Sequence, residues 1–418
     1  MSADQTAATA ANRKEIDLVR DLARQVAQIA ADPENEAARR RWCDVNALRK
    51  PDRAPVWCRP VGAWNELLPE DALVCRDRWL RSIERIFRKV VIKKDIGDDD
   101  LVDNYFPVST VARVEPGNVW GLEPKHVKPA ESDGAWHYDP PLKCAADFDK
   151  LVLPRLTIDQ AATDRALSRT HDLLGDILPV RRTFAPNAIH GFTATLGTPA
   201  ADLRGLEQMM MDAIAEPELL HRLMAHLRDG VLSLLDQAEK SGLLTPNNDG
   251  PMICSDPVGA PIAQGAYTLK NCWAMPNSQE FDQISPAMWE EFCLNYQRPV
   301  LEKFGLTWYG CCENLTRKID GVLSIPNLRI FVCSAWTNLD TVLQKVGPQY
   351  VIMWRQKASD VVFAEDESVL RNQLETGMRK LQGRPYQIVL RELQTLNGRL
   401  DWLHRWTRHA KEIAAKYA

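Results

Sequence analysis

LTWYGCCENL, residues 306–315, is the stretch that decides the fold of this 418-residue chain. An apolar run, Leu306–Tyr309, stops at a glycine and is followed by two cysteines, a glutamate and a helix-forming segment. This order is typical of a strand, a tight turn and a helix. The pattern therefore predicts that Cys311, Cys312 and Glu313 lie at the carboxyl end of a strand.

The same strand–helix unit recurs through the last quarter of the chain. The predicted strands are Leu306–Tyr309, Leu328–Val332, Tyr350–Trp354 and Tyr386–Leu390, and the predicted helices are Leu315–Leu323, Leu339–Val346, Ser368–Leu381 and Arg399–Lys416. Such repeats indicate a parallel sheet, and their number favours an α/β fold of the (β/α)₈ TIM-barrel type. The sequence has neither GxGxxG nor a P-loop, so a nucleotide-binding fold has little support.

The upstream sequence is less regular. Helices are predicted at Lys14–Ala31, Glu36–Leu48, Asp77–Lys94, Ile158–Leu174, Leu203–Ile214, Pro217–Leu243 and Ser285–Phe304, and strands at Leu178–Thr183, Ala188–Leu196 and Met252–Ser255. Four prolines make 51–70 an extended loop, and 95–150 is an irregular segment rich in aromatic residues. We therefore predict an N-terminal helical and loop extension over 1–150 that covers a barrel over 151–418.

Composition narrows the class of protein. Hydrophobic residues make up 45% and charged residues 26%, as in ordinary globular proteins, and the net charge of −4 with dispersed Lys and Arg argues against nucleic acid binding. No apolar run is long enough to span a membrane. Ten scattered cysteines and the absence of a signal-peptide core predict a reduced, cytoplasmic protein. Barrels often dimerise, so a homodimer is possible.

The adjacent cysteines suggest a metal site. Thiolates are good Zn²⁺ ligands, and Glu313 can either bind the metal or orient a ligand. The alternative is that Cys311 and Cys312 are small buried residues, because free cysteine is often buried and the pair lacks the CxxC spacing of established zinc sites. Both interpretations stay open at this stage.

Other polar and aromatic residues lie at predicted strand ends and in loops. Besides Glu313, the candidate catalytic residues are His190 and Arg355, and the candidate substrate- or cofactor-binding residues are His137, Trp136, Trp336, Trp354 and Glu280. Each has a structural alternative: a histidine can be a satisfied interior residue, and aromatic rings can simply seal a barrel. Cys254 and Cys333, also near predicted strand ends, are more often core residues than ligands.

Three segments carry a family resemblance. They are Arg204–Glu207 (RGLE), ISPAMWEEFCLNYQRPVLEKFG (284–305) and YGCCENL (309–315), and the order of the last four strand–helix units agrees with them. Over residues 150–415 the chain resembles the uroporphyrinogen decarboxylase superfamily, and it is most similar to the zinc- and corrinoid-dependent methyltransferase branch. The resemblance implies a barrel that transfers a methyl group with the help of zinc and cobalamin.

The chain also departs from that superfamily. It has no counterpart of the Arg-rich motif with which the decarboxylases hold tetrapyrrole carboxylates, so porphyrinogen decarboxylation is not expected. The methyltransferase branch usually has His-x-Cys where this chain has Tyr309–Cys312, and a late cysteine where this chain has Leu390–Glu392. A zinc site would therefore use a different ligand set, beginning with Cys311 and Cys312 and completed by Glu313, His190 or His137.

The resemblance suggests a two-component reaction. Zinc would activate a small methyl ether, amine or thiol, and a cobalamin would give or take the methyl group. The sequence has no DxHxxG corrinoid-binding motif, so the cobalamin is expected on a separate corrinoid protein. One alternative is a metal-free decarboxylase or lyase that uses Arg355, Lys357 and His190 on an anionic substrate. The other is a non-catalytic scaffold that binds a corrinoid protein.

Overall fold

The computed structural model describes residues 3–127, 137–186, 194–260 and 266–418. Within these ranges the strands, in chain order, are β1 (Val56–Pro60), β2 (Phe106–Ser109), β3 (Ala112–Glu115), β4 (Lys125–Val127), β5 (His137–Asp139), β6 (Arg155–Ile158), β7 (Val180–Thr183), β8 (Trp273–Ala274), β9 (Leu306–Tyr309), β10 (Leu328–Cys333), β11 (Val351–Gln356) and β12 (Tyr386–Leu393).

The helices of the same ranges are α1 (Ala3–Ala30), α2 (Pro33–Asn46), α3 (Trp64–Leu67), α4 (Arg78–Ile96), α5 (Gln160–Leu174), α6 (Gly197–Arg204), α7 (Leu206–Ala215), α8 (Pro217–Lys240), α9 (Pro286–Trp289), α10 (Asn295–Leu301), α11 (Ile319–Leu323), α12 (Leu339–Lys345), α13 (Ala358–Val362), α14 (Glu367–Leu381) and α15 (Trp402–Lys416). Helix α4 begins at its predicted place because the Asp77 carboxylate accepts hydrogen bonds from the first-turn amides. No helix of these ranges is both long and apolar enough to cross a membrane.

The central feature is a curled six-stranded sheet in the order β1-β12-β11-β10-β9-β8, in which every neighbouring pair is parallel. The four strands predicted in the last quarter are confirmed, and β9 has the predicted bounds. Helices alternate with these strands and pack on one face of the sheet through a large apolar core. The hydrophobic pattern predicts these four strands correctly because each is a short apolar run bounded by glycine or proline.

The predicted closed eight-stranded barrel is only partly confirmed. Among the described residues, hydrogen bonding in the main sheet ends at β1 on one side and β8 on the other, so the barrel is not closed. Strands β2 and β7 form a separate parallel pair, while β3 pairs with β6 and β4 with β5, both antiparallel. The predicted strand Ala188–Leu196 lies largely outside the described residues.

Two local predictions were wrong. The segment 51–70 is not simply a loop, since Val56 in β1 pairs with Ile388 and joins the main sheet. Met252–Ser255 is not a strand but a series of turns, in which Met252 has a φ of 71°. The carbonyl groups of Met252 and Cys254 accept hydrogen bonds from the Asn46 side chain. The prediction that 1–150 forms a separate extension stays a prediction, although β1 pairs with β12 of the later segment.

The second face of the sheet is filled from the amino-terminal side. Trp42 and Val45 of α2 pack with inward residues of β9 to β12, such as Trp308 and Met353, in a separate apolar cluster. Asn46, at the end of α2, receives a hydrogen bond from Gln387, the second residue of β12. Helix α2 therefore covers the sheet where its strands begin, and the opposite end, where the strands finish, is left for the polar residues described next.

Candidate metal and anion site

Gly310 makes the turn that brings the two cysteines to the end of β9. Its φ is 114°, a conformation that L side chains rarely adopt. A Cβ atom at this position would lie 2.9 Å from Leu315 Cδ1 and 3.0 Å from Val332 Cβ. Both the backbone conformation and the close packing therefore require glycine immediately before Cys311.

A bulge at the end of β12 places a carboxylate beside these cysteines. Cys58 of β1 is paired with Leu390 and Pro60 with Leu393, so β12 has one extra residue over this interval. Within the bulge Glu392 has a φ of 61°, which is uncommon for a residue other than glycine. Bulges redirect side chains and are frequent near functional sites, and strained backbone is concentrated there as well.

The three side chains form the metal-compatible cluster of the described ranges: Cys311, Cys312 and Glu392, with one donor atom of each lying within 4.8 Å of the others. The two Sγ atoms are 3.6 Å apart, and Cys312 Sγ is 3.4 Å from Glu392 Oε1. Two sulfurs on a tetrahedral zinc ion, with Zn–S bonds of about 2.3 Å, are about 3.8 Å apart. The donor set and its spacing therefore fit three corners of a zinc site.

The two cysteines of the pair differ in acidity. The hydrogen bond from the Cys312 thiol, followed by the charges of Arg355 and Arg391, lowers the pKa of the Cys311 thiol to about 5. The pKa of Cys312 is raised well above its usual value by its hydrogen bond to Cys311, by burial and by Glu392. Cys311 is therefore the better nucleophile of the two, and a divalent metal is needed before both sulfurs ionise together.

Two arginines stand behind the cluster. The Arg355 side chain is 1% exposed; its Nη1 donates a hydrogen bond of 2.6 Å to the Cys311 carbonyl and lies 3.6 Å from Glu392 Oε1. The Arg391 side chain is 14% exposed, and its Nε is 3.8 Å from the same carboxylate oxygen. Burial and the neighbouring Arg355 lower the pKa of Arg391 to about 10. Alone, these positive charges would oppose a metal ion, but three anionic ligands would outnumber them.

Glu313 lies outside the cluster and holds its loop together. Its Oε1 accepts hydrogen bonds from the backbone N–H and hydroxyl of Ser278, and its Oε2 accepts one of 2.8 Å from the Cys311 N–H. Its own carbonyl accepts a hydrogen bond from the Ser334 hydroxyl. Burial raises the pKa of this carboxyl group. Of the two roles predicted for Glu313, ligand or orienting residue, the geometry favours the second.

A small cavity of about 210 Å³ opens beside the sulfur atoms. Its walls include both cysteines, Glu392, Arg355, Lys357 and Trp336. Trp336 is 57% exposed, and the Lys357 ammonium lies 5.2 Å from the centre of its indole ring. The predicted binding residue Trp336 and the predicted catalytic residue Arg355 therefore share this cavity with the cysteines.

Two other predicted residues, Trp354 and Glu280, do not line this cavity. Trp354 points to the helix side of the sheet, where it packs so closely on Gly377 of α14 that a Cβ there would be 2.3 Å from its ring. Glu280 accepts a hydrogen bond of 2.6 Å from Thr198, at the start of α6. Trp136 and His190 lie outside the described residues, as does the side chain of His137 in β5.

Glu392 is the site residue that sequence reasoning missed. The sequence marks Leu390–Glu392 as the place where a late cysteine would be expected, but it does not predict Glu392 as a ligand. The usable signal was topological: carboxyl ends of parallel strands meet at one end of a barrel, so a polar residue after the last strand can meet one after β9. The bulge that turns Glu392 towards Cys312 has no equally clear signature.

Comparisons with known proteins bear on the fold. No protein-family model and no curated protein matches the chain. A solved structure of a methyltransferase from Methanosarcina mazei matches with a TM-score of 0.50 over 90% of this chain and 98% of that chain, at 9% sequence identity. At that identity the likeness concerns the fold alone, and membership of the uroporphyrinogen decarboxylase superfamily stays a prediction.

Proposed function

We propose that this protein is a zinc-dependent methyltransferase that moves a methyl group between a small substrate and a cobalamin carried by a separate corrinoid protein. The observation that carries the proposal is the Cys311–Cys312–Glu392 cluster at the carboxyl ends of β9 and β12. Support comes from the fold, which resembles that of a protein named as a methyltransferase. The substrate class is a methyl ether, an amine or a thiol.

We also propose that the main sheet belongs to a complete (β/α)₈ barrel. The six strands of the main sheet and the β2/β7 pair would together supply eight parallel strands. Residues 245–247 bridge the gap between β7 and β8 by hydrogen bonds. Thr245 exchanges hydrogen bonds with Phe184, which follows β7, and Asn247 exchanges them with Trp273 of β8. In this arrangement a boundary after residue 150 would divide the barrel, because β1 and β2 precede it.

The residues of the cluster have separate tasks in this proposal. Cys311, Cys312 and Glu392 would hold the metal, while Glu313 fixes the turn that carries both cysteines. Three protein ligands leave a fourth position for the substrate, as in catalytic zinc sites. Bound zinc supplies Lewis acidity, which lowers the pKa of a thiol or polarises an ether or amine. Because the proposed site needs two free thiols, we propose a reducing compartment such as the cytoplasm for this protein.

The transfer step balances without another reactant. When a thiol is the acceptor, its sulfur would form the new S–C bond as the Co–C bond of methylcobalamin breaks, and the electron pair of that bond would stay with the cobalt. The thiol proton leaves to solvent when the substrate sulfur binds. In the reverse direction the bond between the heteroatom and the methyl carbon of the substrate would break as the electron pair of reduced cobalamin forms the Co–C bond, and the heteroatom would keep the bonding electrons and take up a proton from solvent.

A direct test supplies zinc-loaded protein with free methylcobalamin and a set of small thiols. We expect methylated thiol by mass spectrometry together with loss of the methylcobalamin absorbance, both abolished in Cys312→Ser and retained in Cys43→Ser. Equal conversion by wild type and Cys312→Ser would contradict the proposed site. A chain that binds a corrinoid protein but transfers no methyl group would instead be the scaffold of the alternative interpretation.

A second candidate function is a metal-free lyase or decarboxylase acting on an anionic substrate. The observation that favours it is the buried Arg355, which lines the cavity with Lys357. Release of CO₂ from a carboxylic acid by zinc-free protein would support this function, whereas zinc-dependent methyl transfer would exclude it as the main activity.

A further inference from the structure

A second cavity, of about 450 Å³, lies at the amino ends of the strands, opposite the cysteines. It opens between the end of α2, the segment before β1, the turn before β12 and the end of α15. Its volume is within the roughly 300–1,000 Å³ of pockets that hold drug-sized molecules. In (β/α)₈ barrels the chemistry is built at the other end of the strands, so a ligand here would not be the reacting substrate.

The walls of this cavity are mainly apolar. Leu48 and Pro51 contribute from the N-terminal segment, and Pro385 and Tyr417 from the C-terminal one. Tyr386, the first residue of β12, also lines the cavity and is 6% exposed, and its hydroxyl is buried without a hydrogen-bond partner among the described residues. A buried donor without an acceptor is unfavourable, so a ligand with an acceptor group would be favoured beside it.

The charged side chains that the structure places in this wall are all cationic: Arg49, Lys50, Arg53 and Arg384. Arg53 is paired with the buried Asp99, to which its Nη1 donates a hydrogen bond of 2.6 Å. Arg49 is paired with Asp44 and Asp256, each at 2.7 Å. The charges of these two arginines are therefore already balanced by carboxylates outside the cavity.

Lys50 and Arg384 have no such partner. Within the described ranges neither forms an ion pair, although both line the cavity. Arg384 donates a hydrogen bond to the Val346 carbonyl, and its Nε is buried without an acceptor. Ala418 also lines the cavity, and its carboxylate would offset only one of the two charges. An apolar cavity with an excess of positive charge attracts anions.

We propose that this cavity binds a small organic anion whose charged group pairs with Lys50 and Arg384. Its apolar body packs against Leu48, Pro51 and Tyr417. A guanidinium group binds a carboxylate or a phosphate through parallel hydrogen bonds, so the charged group is one of these two. The inference needs neither zinc nor methyl transfer and goes beyond the proposed function.

The test compares three probes that share one apolar body. Purified protein is titrated by calorimetry with 2-naphthoate, 2-naphthyl phosphate and the uncharged 2-naphthamide. We expect at least one anion to bind about 10-fold or more tightly than the amide, because hydrogen bonds to a charged group are the stronger ones. The tighter anion identifies the charged group. Equal affinity for all three probes, or binding of none, would overturn the proposal.

Variants locate the site. Arg384→Gln should lower the affinity for the tighter anion by about 10-fold, and Arg384→Lys should retain part of it. Lys50→Gln should lower it by about 2–5-fold, because an exposed ion pair contributes less. The affinity for 2-naphthamide should not change. Lys240→Gln is the matched control, since Lys240 pairs with Asp236 at the end of α8.

Circular dichroism shows whether each variant folds. Should Arg384→Gln not fold, Lys50→Gln and its conservative partner Lys50→Arg decide alone. Lys357→Gln examines the cavity beside the cysteines, which is also cationic. A loss of anion affinity in Lys357→Gln, with none in Lys50→Gln or Arg384→Gln, would place the anion there and overturn the proposal.

These outcomes are independent of the proposed function. Because the titrations need no zinc and no methyl donor, a protein that binds no metal can still prefer the anions. Zinc-dependent methyl transfer without any preference for the anions would remove only the site at the amino ends of the strands.

Discussion

The molecule contains two cysteine pairs of nearly equal geometry at opposite ends of its sheet. Cys311 and Cys312 are adjacent in sequence, with sulfurs 3.6 Å apart. Cys43 and Cys254 are 211 residues apart, with sulfurs 3.7 Å apart. In each pair the thiol–thiol hydrogen bond lowers the pKa of one cysteine and raises that of the other.

The third partner distinguishes the two pairs. Cys312 is 3.4 Å from the Glu392 carboxylate, whereas Cys254 is 3.9 Å from the Arg39 guanidinium. The first arrangement gathers three potential anions, as a metal requires. The second gives a cation to the shared thiolate and needs no metal. Two cysteine sulfurs in contact therefore do not by themselves indicate a metal site. The charge of the third side chain, Glu392 in one pair and Arg39 in the other, distinguishes the two.

Their positions in the fold agree with this difference. Cys254 belongs to a turn whose carbonyl is bound by Asn46 beneath the beginnings of the strands. Cys311 and Cys312 follow the end of β9. In (β/α)₈ barrels, which this curled parallel sheet resembles, chemistry is found where strands end and stability is built where they begin. Under the proposed function, Cys43 and Cys254 are a structural pair and Cys311 and Cys312 are the functional pair. The following predictions test that difference.

The largest expected effect is on zinc content. Cys312→Ser and Cys311→Ser should each lower zinc affinity by more than 100-fold, because loss of a ligand should exceed the roughly 10–100-fold effect of losing a residue that only orients one. Cys43→Ser should leave near-stoichiometric zinc. Elemental analysis of purified protein measures this, with circular dichroism to show that each variant folds. Zinc lost equally from Cys43→Ser would break the comparison.

A second prediction concerns the side chain that distinguishes the pairs. Glu392→Gln should weaken zinc binding by about 10–100-fold, since a neutral amide replaces an anionic oxygen while the size is kept. Asp256→Asn is the control, because it removes a carboxylate near the Cys43–Cys254 pair. Asp256 accepts a hydrogen bond from Arg49 there. Competition with a chromogenic chelator gives both affinities. Unchanged affinity in Glu392→Gln would show that the metal does not use this oxygen.

The sequence predicted the end of the sheet better than the ligand set. The strands of the last quarter follow from uninterrupted apolar runs, and the position of Cys311 follows from the glycine after β9. Glu392 depends on one extra residue in β12, which the hydrophobic pattern does not reveal. Its contact with Cys312 joins residues 80 positions apart.

Local pattern also failed where long-range contacts replaced it. The strand Val56–Pro60 was not predicted because four prolines in 51–70 are typical of a loop. Its pairing with β12 depends on residues more than 300 positions later. Met252–Ser255 has the composition of a short strand, but its carbonyls bond the Asn46 side chain instead of a neighbouring strand. The sequence predicts Glu313 as a ligand or an orienting residue, and only the structure separates a carboxylate that binds backbone N–H groups from one that faces the sulfurs.

A third, smaller effect is expected from Glu313. In Glu313→Gln one amide N–H₂ group must face a backbone N–H donor at Ser278 or Cys311, which leaves a buried hydrogen bond unmade and should cost about 1–3 kcal/mol of stability. Zinc affinity should fall by about 10-fold because the turn is loosened. Urea unfolding of zinc-free protein and chelator competition separate the two effects. Loss of all zinc with unchanged unfolding would instead make Glu313 a ligand.

The smallest effect concerns thiol reactivity in chelator-treated protein. With a pKa of about 5, Cys311 is a thiolate at both pH 8 and pH 6.5, so its alkylation rate with iodoacetamide should change less than about twofold between them. The alkylation rate of Cys311 should fall about tenfold per pH unit only below pH 5.

An ordinary thiol with a pKa of about 8.5 is alkylated more than tenfold more slowly at pH 6.5 than at pH 8. A low-pKa thiolate is also intrinsically less nucleophilic, so at pH 6.5 the advantage over an ordinary thiol should be only a few-fold. Peptide mass mapping separates Cys311 from Cys43, and buried Cys254 should remain unmodified. A steep decline at Cys311 from pH 8 would mean that the Cys312 thiol, Arg355 and Arg391 do not stabilise its thiolate, and the electrostatic part of the comparison would fail.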